Sequence, residues 1–115
     1  MDVSTDNVGA IRVLRVSGRL DHSQAKDFEA ALAPHLLTCT PQGSPLVLEF
    51  SGVVYISSVG LRVLLLAAKQ VKAQQGRIAI AALTPIVAEV FQVSHFNLVL
   101  TVFPDVAAAA AELYP

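Results

Sequence analysis

Leu46-Val47-Leu48-Glu49-Phe50-Ser51-Gly52-Val53-Val54-Tyr55-Ile56-Ser57-Ser58-Val59-Gly60-Leu61-Arg62-Val63-Leu64-Leu65 passes from strand chemistry to helix chemistry, and that passage decides the fold. Leu46 to Phe50 is a short apolar run of the kind that fills a central strand buried on both faces. After Ser51-Gly52 the run resumes as Val53-Val54-Tyr55-Ile56 and then meets Ser57 and Ser58. Beyond them Leu61, Leu64, Leu65, Ala68 and Val71 recur at helical spacing, while Arg62, Lys69, Lys72 and the glutamines suit a solvent side. This helix is expected to reach about Gln75 and to stop at Gly76.

The same alternation continues outward. Upstream, Met1 to Thr5 and Ala10 to Ser17 read as two strands joined by a turn around Asp6-Asn7, residues that tolerate positive φ. Gly18 punctuates the chain before Arg19-Leu20-Asp21, and Asp21 with Gln24 resembles a capping box. Ala25, Phe28, Leu32 and Leu36 form one apolar helix face, with Pro34 expected to kink or loosen its last turn. Thr38 to Pro45 is a loop. Downstream, Ile78 to Leu83 is a buried strand, and Thr84-Pro85 starts a helix whose inner face would be Val87, Val90, Phe91 and Ser94. Leu98 to Val102 reads as the last strand, and Asp105 opens an alanine-rich final helix. The order implies one α/β domain over residues 1–115. Its sheet would be mainly parallel, four- to five-stranded, with an antiparallel N-terminal edge hairpin and four helices.

Composition narrows the function classes. The chain has 115 residues, enough for one core. Net charge is −1 and charged residues are 15%, with no basic run, so direct nucleic-acid binding lacks its electrostatic basis. Apolar stretches such as Val63 to Ala68 fall far short of the ~20 residues that cross a bilayer, so no membrane partner is expected. The start, Met1-Asp2-Val3-Ser4-Thr5-Asp6, lacks the basic and apolar regions of a secretory signal. A lone Cys39 fits a reducing compartment, and a cytoplasmic location is expected.

The sequence carries no recognisable catalytic constellation. There is no phosphate-cradling G-x-x-x-x-G-K loop and no G-x-G-x-x-G. A nucleophile elbow around Ser58 would need glycine where Ile56 stands. Cys39 has no CxxC partner, and a C-x5-R loop would need arginine where Pro45 stands. His22, His35 and His95 lack metal-ligand spacing, so neither metal nor cofactor is expected, and the chain reads as a protein-binding module rather than an enzyme. Of the two serines, one would cap the central helix, the commonest role for serine there. Gly60 costs about 1 kcal/mol against alanine inside a helix, which is justified if another backbone must approach that turn. A helix N-terminus also accommodates phosphate on a nearby serine.

At these residues the sequence resembles the STAS domain, specifically its free-standing anti-sigma factor antagonists. Leu46 to Leu65 follows the family run L-D-L-S-x-V-x-F-I-D-S-S-G-L-x-V-L-L, with Ser57 at the usual aspartate and Val59 where a small residue precedes Gly60. Ser17-Gly18-Arg19-Leu20-Asp21 resembles the family's G-x-L-D turn, and Thr84-Pro85-Ile86-Val87 with Val90-Phe91-Gln92-Val93-Ser94 resembles its third helix. The resemblance implies a phosphorylation-controlled switch. Its unmodified form would bind an anti-sigma factor that is also a serine kinase of the GHKL ATPase type. Phosphorylation would release it, and a PP2C-type phosphatase would restore it. The matching phosphoacceptor is Ser58, with Ser57 as the alternative, and Asp21, Ser57, Gly60 and Arg62 are expected at the partner-binding surface. Asp21 is first a helix cap and Arg62 first a solvated helix residue, each with partner contact as a second role. The competing reading is a STAS subunit without a phosphate cycle, held in a larger regulatory or lipid-transport assembly.

Overall fold

Strands and helices follow one another as β1 (Asp2–Val8), β2 (Ile11–Leu20), α1 (Ala25–Leu37), β3 (Leu46–Ile56), α2 (Ser58–Ala73), β4 (Ile78–Ala81), α3 (Pro85–Val93), β5 (Thr101–Phe103) and α4 (Val106–Leu113). The structure, a computed structural model, describes residues 1–113, so the last two positions of the expected 1–115 domain lie outside the described residues. The strands form one sheet in the order β1-β2-β3-β4-β5. The β1–β2 pair is antiparallel and the other three pairs are parallel, as the alternation implied.

This sequential order decides where the helices go. When every parallel crossover steps the same way with the same hand, the connecting helices share one face. The core agrees: Phe28, Leu32 and Leu36 of α1, Val63, Leu64, Ala67 and Val71 of α2, and Val87 and Phe91 of α3 pack with Leu14, Leu48, Phe50 and Ile80 of the sheet. Among the described residues the opposite face carries only α4, whose Ala109, Ala110 and Leu113 cover Ile11, Val13, Val47, Ala79 and Ala81. Small residues on both sides let α4 lie close to the sheet. Asp105 starts it as expected, its Oδ1 accepting from the Ala108 N–H at 2.8 Å. Among the described residues no helix is long and apolar enough to cross a membrane.

Several expectations need correction. The hairpin turns at Gly9-Ala10, not Asp6-Asn7, because Val8 pairs with Ile11 and Gly9 takes φ 60°, leaving a two-residue loop. Asp21 does not cap α1. The helix begins at Ala25 after Gln24, while Asp21 closes the preceding turn by accepting from the Ser23 N–H and hydroxyl. Helix α1 runs through Pro34 to Leu37, since only the exposed side of its last turn loses a donor.

Helix α2 ends in a Schellman motif, with Gln75 at φ 61°, Gln75 N–H on Lys72 O and Gly76 N–H on Val71 O. Gly76 therefore follows the left-handed residue instead of being it. Its fully buried stripe is Gly60, Val63, Leu64, Ala67 and Val71, with Leu61, Leu65 and Ala68 packed at the margin. Strand β4 stops at Ala81 because Ala82 turns to φ 61°. Ser94 is exposed and bonds back to Val90 O at 2.7 Å, so it leaves the inner face of α3.

The last strand moves to Thr101–Phe103. His95 turns to φ 59° and Phe96 tucks beside Phe91 at 5.1 Å between ring centroids. The Val99 and Leu100 N–H groups bond to Phe96 O, which curls Phe96–Leu98 into a 3-10 turn.

Phe28 is fully buried, meets Phe50 edge-on at 6.3 Å and joins α1 to the central strand. Phe28→Ala should lower unfolding free energy by about 3–5 kcal/mol, read as a fall in the urea midpoint with little change in slope.

Candidate functional site

The site grows from two irregularities in β3. Its partners on β2 run Arg15↔Glu49 and Ser17↔Gly52, then Gly18↔Val53 and Arg19↔Tyr55, so β3 gains an extra residue at each step. Period-two alternation therefore becomes a spacing of three, and the residues facing the helical layer are Leu46, Leu48, Phe50, Val53 and Ile56. Val54 and Tyr55, which simple alternation would split between faces, both emerge, at 56% and 38% exposure. Thr84 secures the second bulge. It is the N-cap residue of α3 but makes no side-chain cap there, and its hydroxyl donates to Val53 O at 2.8 Å.

At its end β3 lies beside the end of β2, and both chains leave the same edge of the sheet. The Ser57 N–H donates to Leu20 O at 2.9 Å. Ser57 has extended backbone (φ −90°, ψ 172°), is buried, and caps α2 by accepting from the Gly60 N–H at 3.2 Å. Ser58 is the first residue of α2 and is exposed. Ser57 is therefore the cap, and Ser58 stands exposed at the start of α2.

Gly60 has a different reason from the one its position suggested. A Cβ there would stand 2.9 Å from Leu20 O and 2.9 Å from Ile56 Cγ1. The backbone that approaches this turn is the chain's own β2, and Gly60 is buried beneath the site instead of facing a partner.

Asp21 and Arg62 belong to the two elements that meet at Ser58, the turn after β2 and helix α2. Asp21 follows Leu20 directly, so the Ser57–Leu20 bond places its turn next to the start of α2. The hydrogen bond from the Ser23 hydroxyl lowers its carboxyl most; desolvation opposes this, and the Ser23 and Gln24 N–H groups and Arg19 add to the lowering. Arg19 lies 3.7 Å from Asp21 and stacks 4.4 Å over the Tyr55 ring. Arg62 is exposed one turn along α2 from Ser58. Arg19, Val54, Tyr55 and Thr84 belong to this edge of the molecule although sequence reasoning missed them. The available signal was Val53-Val54-Tyr55-Ile56, too many apolar residues in succession for a strand with one solvent face.

Other chemistry is sparse. No three His, Cys, Asp or Glu side chains gather as a metal site among the described residues. Cys39 is buried, donates to Arg77 O at 3.2 Å, and burial pushes its thiol up. His35 is held down, first by burial and then by the nearby Arg12 guanidinium.

Comparison with known proteins agrees with this geometry. The family model described as STAS domain matches residues 2–109. BtrV of Bordetella bronchiseptica, an anti-sigma factor antagonist by name, is 35% identical over 112 residues, covering 96% of this chain and 93% of that protein. The crystal structure of an anti-sigma factor antagonist from Mycobacterium paratuberculosis superposes with a TM-score of 0.86 at 20% identity, covering 97% of this chain and 92% of that one. The Bacillus cell fate determinant SpoIIAA in its phosphorylated form gives a TM-score of 0.70 at 18% identity, over 98% of this chain and 100% of that one.

Two substitutions probe the local construction. Gly60→Ala sets about 1 kcal/mol of helix propensity against overpacking on Leu20 backbone of about 1–3 kcal/mol. A net loss of stability is expected in urea melts. Ser57→Ala leaves the buried Gly60 N–H without its acceptor and should cost about 1–2 kcal/mol by the same measurement.

Proposed function

The chain belongs to the STAS-domain family, and from that membership we propose that it is an anti-sigma factor antagonist working as a phosphorylation-controlled binding switch. Unmodified, it engages an anti-sigma factor that is also a serine kinase of the GHKL ATPase type. Phosphorylation of Ser58 releases it, and a PP2C-type phosphatase returns it to the binding form. The protein is a regulatory binding module, not an enzyme, and it acts in the cytoplasm.

The observation that carries this reading is the unequal placement of the two serines. Ser57 is buried and its oxygen is committed to the Gly60 N–H, whereas Ser58 is exposed at the first position of α2. A kinase needs a hydroxyl it can reach, and a free helix N-terminus favours the charge that results. Asp21 and Arg62 are the contact residues of this proposal. Ser57 and Gly60 contribute from below, by holding the backbone that presents Ser58. The name of the 35% identical relative supports the anti-sigma factor as the class of partner.

The switch follows from charge and shape together. Phosphate at the start of an exposed helix gains about 0.3–1 kcal/mol from the dipole, so modification leaves the fold intact. The same dianion disrupts a close contact surface by desolvation and by repulsion of acidic groups on the partner.

Intact-mass spectrometry of the protein incubated with its kinase partner and Mg-ATP should show one phosphate, mapped to Ser58. Ser58→Ala should take up none and keep tight binding, giving an antagonist that is not switched off. Ser58→Asp should melt like the unmodified protein and bind the partner weakly. Label on Ser57 would transfer the role to that residue. No label on either serine would sink the switch and favour a STAS subunit held in a larger assembly.

A further inference from the structure

Helix α2 begins with an electrostatic arrangement opposite to the usual one. Negative side chains favour the first turn of a helix and cations its end. Here the first turn carries no acidic residue, and Arg62 follows close behind it. Arg62 is exposed and has neither a hydrogen bond nor an ion pair among the described residues. It lines a shallow groove between α1 and α2 with Ala25, Lys26, Glu29, Val59 and Val63. Lys26, across that groove on α1, is likewise unpaired among the described residues.

The spacing supplies what the charge lacks. Ser58 and Arg62 stand at i and i+4 on one helix, where side chains are neighbours with Cβ atoms about 5–6 Å apart. An acid N-terminal to a base at this spacing is the favourable order of such a pair. A phosphate on Ser58 would therefore bring the missing negative charge to the dipole and a partner to the guanidinium, whose planar donors suit phosphate oxygens.

We propose that Arg62 is the phosphate-receiving residue of the modified protein, folding the Ser58 phosphoryl group down along α2 and stabilising its dianion. The proposal rests on the reading of Ser58 as phosphoacceptor. In the unmodified protein Arg62 stays free for the partner, so one side chain serves both states, and modification withdraws it from the contact surface. The other charged groups near this helix end are Lys26 and Glu29 on α1 and the Arg19–Asp21 pair before it. Arg19 is already engaged by Asp21 and by the Tyr55 ring, which leaves Arg62 as the cation with the shortest path along the helix.

The test is a phosphorus NMR titration of the full chain after phosphorylation, with the mass of the product checked first. In the parent protein the second ionisation of phosphoserine should lie about half a pH unit below its ordinary value of about 6. Arg62→Gln should move it back toward that value, Arg62→Lys should retain most of the lowering, and Lys26→Gln should change it little. Identical titrations for the parent and Arg62→Gln would overturn the proposal while leaving Ser58 as the modified residue. A product with no added phosphate would instead remove the reading on which it rests, and the two failures are distinguished before the titration begins.

Discussion

The first turn of α2 lies against the end of β2 as closely as backbone can, and the exposed end of the molecule is organised by that contact. Leu20 O accepts the Ser57 N–H, and the space beyond it admits Gly60 only because glycine has no side chain. A larger residue would push the helix outward and with it Ser58, which owes its exposure to being the next step after a buried, hydrogen-bonded cap. Four adjacent positions thus have four distinct duties: Ile56 enters the core, Ser57 closes the turn, Ser58 meets solvent and Val59 rests on the margin of the core. The opening of that turn would cost a buried hydrogen bond and the seating of Ile56 together.

The two bulges of β3 prepare this geometry. Each extra residue bends the strand and increases its twist, so that its last residues leave the sheet beside Asp21. Their cost is unpaired backbone, and Thr84 answers part of it by bonding Val53 O from the start of α3. A bond from one crossover helix to the bulge of another strand means that the site is held by tertiary contacts from both sides. The bulges also explain why Tyr55 is available to stack beneath Arg19.

The sequential order of the sheet has a further consequence. With α1, α2 and α3 on one face, a single short helix must cover the other, and α4 does so over the Ile11, Val13, Val47, Ala79 and Ala81 half. The remaining half is polar, with Arg15 bonded to Glu49 at 2.8 Å and within 3.6 Å of Asp6. The Arg15–Asp6 pair is half-exposed and contributes little to stability, whereas Glu49 is largely covered; together they keep an uncovered sheet surface polar. Aspartates along β1 do the same for the edge strand, where an apolar run would invite pairing with another chain.

Much of this was legible in the residues themselves. Strand and helix identity followed from apolar spacing, because a period of two or of 3.6 is a local property that burial on either side preserves. The central stretch and the family likeness it carries put Ser58 forward, with Ser57 as the alternative, without coordinates. What the chain could not disclose locally were features decided by contacts between distant segments. Asp21 and Gln24 have capping-box spacing, yet Asp21 is used by its own turn with Ser23. Leu98 to Val102 has strand composition, yet the packing of Phe96 on Phe91 curls its start into a helical turn. Gly60 looked like an opening for a partner and is filled by Leu20, forty residues earlier in the chain. Residue type specifies which conformations and hydrogen bonds are available, whereas the choice among them is made by whichever neighbour arrives when the sheet closes. The sequence alone therefore determined the order of elements and the serine pair, and the tertiary structure alone decided which serine is buried and which is offered to solvent.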